Sequence, residues 1–240
     1  MGRETFERSV LVVPYGEALI HPYYWEGMAE LGSQTGMRAV GAQSNLSFPV
    51  EKMLAVYEKA GGRKERLRLW GTFHPQMTTV EEFLCQCQRL QEAEVSFCVG
   101  TVGVPENLGY IRQLREGLAS SVYMWLNKMD GMGRGYTEEE TAAFREIDGY
   151  FDLELQVFPP DASYCNDSVL VQGDGSIRPC VRSHAKMGNL YTDGFGRLMT
   201  KTCTAGACDC YLSYNNRTDV EALMHFQPEP AFRIPEAYEC

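Results

Sequence analysis

The sequence carries too little positive charge for a protein that binds nucleic acid or an anionic membrane. It has 22 Lys and Arg residues against 32 Asp and Glu residues, a formal net charge of −10 at pH 7. A negative field of this size repels phosphate groups, whether they belong to nucleic acid or to lipid headgroups. We therefore expect no nucleic acid and no membrane among the partners.

Long apolar runs are also lacking. Residues 1–8 are mostly polar, and the apolar run at 10–13 is too short for a signal peptide or a membrane-spanning helix. We therefore expect a cytoplasmic protein. In that reducing compartment thiols persist as free groups or metal ligands, and the odd number of nine cysteines also argues against a disulfide framework.

The cysteines are unevenly distributed. Between two of them the turn Gly173-Asp174-Gly175, flanked by apolar runs, predicts a β-hairpin that folds the chain back on itself. Thiolates gathered on such a scaffold bind either zinc or an iron–sulfur cluster, and the spacing alone leaves that choice open. A site of this kind has four ligand positions, so one of the five clustered cysteines is not needed. They fall within 46 residues and are Cys165, Cys180, Cys203, Cys208 and Cys210.

Residues 10–127 repeat one unit, an apolar β-branched run followed by an amphipathic helical pattern. The predicted strands start near Val10, Met37, Arg66, Val95 and Val122, at intervals of 27 to 29 residues. Strands that alternate with helices of this length form βαβ units, which require parallel strands. Two helix starts fit the capping-box pattern, at residues 78–81 and 137–140. The sequence thus predicts an α/β protein with a parallel sheet or barrel.

The repeat ends after Gly149. Residues 153–158 alternate like a half-buried strand, and Pro159-Pro160 then stops it. We therefore predict two domains, an α/β domain at 1–150 and a cysteine-rich domain at 151–240.

In parallel α/β folds, the loops at the carboxyl ends of the strands form the ligand site. Most of the predicted ends here are polar, and two contain glycine. His74 is a candidate acid or base at one of them, because imidazole exchanges protons near neutral pH. The predicted ends are residues 14–19, 43–45, 73–75, 99–106 and 127–128.

These motifs resemble the radical S-adenosylmethionine (SAM) enzymes that carry a SPASM or twitch-type auxiliary cluster domain. Gly16-Glu17 stands where the family has a Gly-Gly-Glu motif for the SAM amine, although Tyr15 replaces its first glycine. The segment from Gly100 through Val102 to Glu106 matches the family's G-x-I-x-G-x-x-E pattern beside the adenine. The cysteines at 165 and 180, with Gly175 between them, are similar to the opening of the auxiliary domain.

The resemblance implies a TIM-barrel-like partial (β/α) barrel with five of the family's six βα units. It implies S-adenosylmethionine and an auxiliary [4Fe-4S] cluster as cofactors, with Gly16, Glu17, Asn45, Gly100, Val102 and Glu106 at the SAM site. Of the two metals, it favours iron over zinc. The implied chemistry is formation of a deoxyadenosyl radical that abstracts hydrogen from a small-molecule or peptide substrate. A flavodoxin or ferredoxin would serve as reductant.

One motif of the family is missing. The sequence contains no C-x-x-x-C-x-x-C loop, which in the family holds the cluster that cleaves SAM. We expect either that the recorded start lies inside a longer gene product or that the chain is a remnant unable to cleave SAM alone. The alternative function is therefore a non-catalytic iron–sulfur or zinc protein that acts as a scaffold or in electron transfer.

Overall fold

The structure, a computed structural model, describes residues 8–165, 168–193 and 202–235. They form two compact units that divide between Phe151 and Asp152. The last described residues, 232–235, belong to the first unit, whereas the sequence predicts a single domain over 151–240.

The first unit is built on a five-stranded sheet in which every strand pairs in parallel with the next one along the chain. This confirms the predicted series of βα units and agrees with a partial barrel. Its strands are β1 (Arg8–Val12), β2 (Met37–Ser44), β3 (Leu67–Thr72), β4 (Ser96–Val102) and β5 (Met124–Asn127). Its helices are α1 (Pro22–Ser33), α2 (Val50–Lys59), α3 (Val80–Glu92), α4 (Leu108–Gly117) and α5 (Glu138–Arg145). Short 3-10 turns cover Lys64–Arg66 and Pro105–Asn107.

The two faces of the sheet carry different side chains, because successive residues of a strand point to opposite sides. One face presents aliphatic side chains such as Leu69 and Val99 to the main hydrophobic core. The other presents Trp70 and Trp125, whose rings meet edge to face at 4.8 Å between centroids.

The C-terminal segment covers part of this second face. The Cys98 thiol donates to the Phe232 carbonyl oxygen at 3.2 Å, and the Arg233 guanidinium lies 4.2 Å from the centre of a Trp125 ring. Both Phe232 and Arg233 are buried. The segment therefore completes the first unit, because a sheet face with two tryptophans needs cover from water.

Helices α3 and α5 both begin with a capping box, the second where it was predicted, at residues 137–140, and the first at residues 79–82, one residue after the predicted 78–81. The Thr79 hydroxyl accepts from the Glu82 amide at 3.2 Å while the Glu82 carboxylate accepts from the Thr79 amide, and Thr137 and Glu140 form the same pair. Each box satisfies amides that a helix leaves without a partner in its first turn.

The strand predicted over residues 153–158 is wrong. The chain forms the short helix α6 (Phe151–Leu155), and in this stretch only Phe158 pairs as a strand would, with Cys208. A strand needs a continuous partner ladder, and Pro159-Pro160 supplies no amide to extend one.

The second unit has little regular structure. The turn Gly173-Asp174-Gly175 joins an antiparallel pair, as the sequence predicts, and a third short strand adds to it. Its elements are β6 (Leu170–Val171), β7 (Ser176–Arg178), β8 (Gly188–Asn189), α7 (Tyr211–Tyr214) and 3-10 turns at Ala162–Tyr164, Glu221–Phe226 and Pro230–Phe232, the last of which ends in the first unit. Across the described ranges, no helix combines the length and apolar character that crossing a bilayer requires.

Acid titration offers a test of the α5 cap. The Arg134 guanidinium binds the Glu140 carboxylate through two bonds of 2.6 and 2.7 Å, and this contact, with the Thr137 amide, lowers the Glu140 pKa from 4.5 to about 2. A carboxyl group with a lowered folded pKa adds stability above pH 4.5 that is lost as the pH falls towards 2. Glu140→Gln should flatten the fall in unfolding free energy across that window, measured by urea titration. Glu138→Gln removes a charge from the same turn and should keep the wild-type slope; equal slopes in all three proteins would contradict the prediction.

Candidate functional site

Glu17 is fixed at the carboxyl ends of the first two strands. Gly16, with φ of +74°, turns the chain after β1 and brings the Glu17 carboxylate to the end of β2. There it accepts the Ser44 hydroxyl at 2.9 Å, the Asn45 amide at 2.6 Å and the Leu19 amide at 3.0 Å. The carboxylate is thus held in one place by three donors from two loops.

Asn45, predicted at the site, contributes its backbone rather than its side chain to this contact. Its Oδ1 accepts the Ser47 amide at 3.0 Å, which closes a tight turn after the strand. Ser44 was missed as a site residue. It is buried, and the available signal was a hydroxyl on the last residue of the strand.

Hydrogen bonds connect the strand ends further along the same edge. Gln43 Nε2 donates to Thr72 Oγ1 at 3.1 Å, which links β2 to β3. The Thr101 hydroxyl donates to the Phe73 carbonyl at 2.9 Å, which links β3 to β4. The carboxyl edge is therefore continuous from Glu17 to the fourth strand.

A cavity of about 390 Å³ opens at the ends of β3, β4 and β5. Its wall combines apolar surface with amide and charged side chains, a mixture typical of small-molecule sites. Predicted site residues His74 and Val102 both line it. Among the further lining residues are Thr101, Asn107, Asn127 and Lys128, which the sequence placed at strand ends or helix starts without a role.

The other two residues of the predicted adenine motif lie outside this cavity. A Cβ built at Gly100 would stand 2.6 Å from the Trp125 ring and 2.8 Å from Trp70 Nε1, so glycine lets the tryptophans pack against the strand. Glu106 is exposed on the turn after β4, where its charge interacts with Arg134. The motif therefore divides between packing, cavity wall and surface.

In the second unit, two of the five predicted cysteine ligands, Cys165 and Cys208, lie near Arg217, and Cys203 lies near Cys208. Cys165 pairs with Arg217 through a backbone bridge, and the Arg217 guanidinium is near enough to Cys208 to favour its thiolate form. Burial raises the pKa of the Cys208 thiol, Arg217 opposes that rise, and the nearby Cys203 and Cys165 add to it. These three thiols are therefore close enough to interact electrostatically.

The loop after Cys180 contacts the segment that carries Cys203. The Ser183 hydroxyl lies 3.0 Å from Thr204 Oγ1 and 3.4 Å from the Thr202 carbonyl, and the Cys180 thiol itself is buried. Cys210 caps the N-terminus of α7. In the parts of the chain that the structure describes, no three His, Cys, Asp or Glu side chains stand close enough to hold a metal ion, so the ligand set remains a prediction.

The fold and the edge together define an α/β protein that carries a cavity and a fixed carboxylate at the carboxyl ends of a parallel sheet. No family model matches the sequence, and no curated protein is similar to it. Among solved structures, native anSMEcpe with bound AdoMet (S-adenosylmethionine) is similar, with a TM-score of 0.53 and 12% sequence identity. The match covers 81% of this chain and spans 66% of the length of that one. At this identity the likeness is one of fold alone.

Substitution at Gly100 tests its packing role. Gly100→Ala should lower the free energy of unfolding by about 1–3 kcal/mol, because the added methyl group meets two ring systems that cannot both move. Gly109→Ala is the matched control. Gly109 lies in α4 with nothing within 4 Å of its built Cβ, so alanine should be neutral or stabilise by up to about 1 kcal/mol. Chemical denaturation measures both; equal effects would refute the packing role.

Proposed function

We propose that this chain binds S-adenosylmethionine at the carboxyl edge of its sheet and an iron–sulfur cluster in its second unit, as part of a radical SAM enzyme. The observation that carries the proposal is the Glu17 carboxylate. It is held at the ends of β1 and β2, where the resemblance implies the contact with the SAM ammonium. The fold shared with a structure that contains AdoMet supports the same assignment.

The chemistry of Glu17 suits an ammonium ligand. An ionised carboxylate has about four acceptor positions, and the Leu19 and Asn45 amides with the Ser44 hydroxyl supply three donors. A bond from the ammonium would complete the set, and charge-assisted bonds of this kind are about twice as strong as neutral ones. Because the carboxylate is already oriented, little rotamer entropy is lost on binding.

The cavity beside Val102 is our proposed place for the rest of the ligand. Its volume lies within the range of small-molecule pockets, roughly 300–1,000 Å³. Val102 offers an apolar wall for a nucleobase, while Asn107 and Asn127 offer amide donors and acceptors. His74, in the same wall, is our candidate to move a proton on a small-molecule or peptide substrate.

The second unit offers the donor set for the cluster. Thiolates are the ligands of [4Fe-4S] clusters, and Cys165 and Cys203 both lie near Cys208 in this unit. Bound there, a [4Fe-4S] cluster would supply one-electron redox chemistry. The protein's own part is to hold the thiolates and to keep water from them, with a flavodoxin or ferredoxin as electron donor.

The missing C-x-x-x-C-x-x-C loop favours a second candidate. Without that loop in the sequence, the described residues provide no set of cysteines for SAM cleavage, and the protein would then act as an iron–sulfur or zinc scaffold or electron carrier. SAM binding separates the two functions, because a scaffold has no need of it.

Isothermal titration with SAM tests the Glu17 contact. Glu17→Gln should weaken binding about 10- to 100-fold, because a lost bond to a charged group costs roughly 1.5–3 kcal/mol. Glu26→Gln removes an exposed carboxylate from α1 and should bind as the wild type does. Equal affinity of all three proteins, or no binding by any, would refute a SAM site at Glu17.

Metal content tests the cluster. After anaerobic reconstitution with iron and sulfide, we expect about four irons per chain and the broad visible absorption of a [4Fe-4S] centre. Protein purified with one tightly bound zinc and unable to take up iron would instead support the zinc alternative.

A further inference from the structure

Residues 232–235, which we call the strap, lie on the face of the sheet that carries Trp70 and Trp125, its tryptophan-bearing face. Phe232 is 1% exposed there and Arg233 is 3% exposed. The opposite face packs against helices α1 to α4, which belong to the same βα units as the strands. One face is therefore covered by the repeat itself, and the other by a short segment from the far end of the described chain.

The face has a place for an aromatic ring and a donor for a main-chain carbonyl. A Cβ built at Gly41 in β2 would stand 1.8 Å from the Arg68 carbonyl oxygen and 2.8 Å from Cε1 of Phe232, so only glycine lets the ring lie over this strand. Two strands away, the Cys98 thiol of β4 donates to the Phe232 carbonyl at 3.2 Å. The strap thus crosses the sheet from β2 towards β5.

The place for the arginine combines a π face with a carboxylate. The guanidinium carbon of Arg233 lies 4.2 Å from the centre of a Trp125 ring, a distance at which a cation and a ring attract. Asp148, a buried carboxylate whose charge interacts with Arg233, accepts from the Tyr123 hydroxyl at 2.7 Å and the Leu126 amide at 2.9 Å. Because those two bonds do not involve Arg233, the cation site would stay formed if the strap left.

Side chains do most of the work of holding the strap. Residues 233–235 belong to no helix or strand, and a thiol such as that of Cys98 is a weak donor. Arg233 has a φ of +50°, a left-handed conformation that is strained for any residue other than glycine. A segment of this kind opens at a lower free energy than the strands beneath it, and opening would also relieve the strain.

We propose that the tryptophan-bearing face is a binding site for a peptide with an adjacent aromatic residue and arginine, and that the strap is its internal occupant, which such a peptide displaces. The site has a place for each part of the pair and a donor for the main chain between them. The net charge of −10 attracts a basic peptide. This inference goes beyond the proposed binding of SAM and a cluster, and neither of its tests below depends on them.

A synthetic peptide with the sequence of residues 229–235, labelled with fluorescein, is the probe for the site. In the full chain, Phe232→Ala combined with Arg233→Gln should uncover the face. This variant should bind the peptide at least about 10-fold more tightly than the wild type, because the wild-type strap competes from within the same molecule. Fluorescence anisotropy measures the binding.

The matched control changes an aromatic residue and an arginine that are exposed on α4, Tyr110→Ala combined with Arg112→Gln, and should bind as the wild type does. A peptide in which alanine and glutamine replace the phenylalanine and arginine should not bind to any of the three proteins. Equal affinity of the three proteins for the probe, or no binding by the strap variant, would overturn the proposal.

Thiol labelling follows the strap without the double variant, should that variant fail to fold. Cys98 is completely buried beneath the strap, and burial raises the pKa of its thiol to about 12. Arg233→Gln should speed its labelling by N-ethylmaleimide about 10-fold, because the cation–π contact is lost, and an excess of the unlabelled peptide should slow it again.

Cys87 is the internal reference for this experiment. It is 1% exposed, on α3 at the opposite side of the sheet, and burial raises its pKa to about 12 as well. Its labelling rate should be the same in the wild type and in Arg233→Gln. An equal rise at both cysteines would show that the whole unit loosens, and an unchanged rate at Cys98 would show that the strap does not open; either result would overturn the proposal.

Discussion

The parallel pairing of five strands in chain order is the constraint on which the first unit depends. Each strand leaves the sheet at the same edge, and the register aligns the ends: Ser44 pairs with Gly71, Thr72 with Gly100, and Val102 with Asn127. Residues far apart in sequence become neighbours for this reason alone, since a βα crossover must return the chain to the opposite edge before the next strand begins. The hydrogen bond from Ser44 to Glu17 and the cavity that His74 lines are both consequences of that alignment.

The side chains on the tryptophan-bearing face of the sheet limit where a ligand can lie at the carboxyl edge. Trp70 and Trp125 occupy it, Gly100 makes room for both, and Arg233 covers Trp125 from the C-terminal segment. The same charge opposes the burial that raises the pKa of Asp148, a carboxyl group that accepts from Tyr123 and from the Leu126 amide. With the interior of this face occupied by protein, the strand ends are the accessible polar surface, which agrees with a ligand bound across the edge.

The sequence predicts what depends on local pattern and misses what depends on distant partners. The repeating βα units, the caps at Thr79 and Thr137 and the hairpin around Asp174 follow from periodicity and turn chemistry within a few residues. The position of residues 232–235 in the first unit does not follow from local pattern. The hydrogen bond between Cys98 and Phe232 spans 134 positions, and no periodic pattern in the sequence indicates it. The role of Ser44 was missed for the same reason, because it arises from Glu17, 27 positions away, which only the fold brings close. The strand predicted over 153–158 failed because alternation alone cannot supply a pairing partner.

The two candidate sites are therefore held by different means. At the carboxyl edge, position comes from the backbone ladder, and a side chain such as Glu17 only has to orient within a frame that many hydrogen bonds maintain. The second unit has strands of two or three residues, so its cysteines take their places from single bridges and side chains, among them the Phe158 pairing with Cys208 and the contacts of Arg217. A frame made of few contacts loses a large fraction of its order with each one removed. For that reason the buried Arg217, bonded to Asp219 and to the Pro159 carbonyl, orders a larger share of its unit than one hydrogen bond does in the parallel sheet.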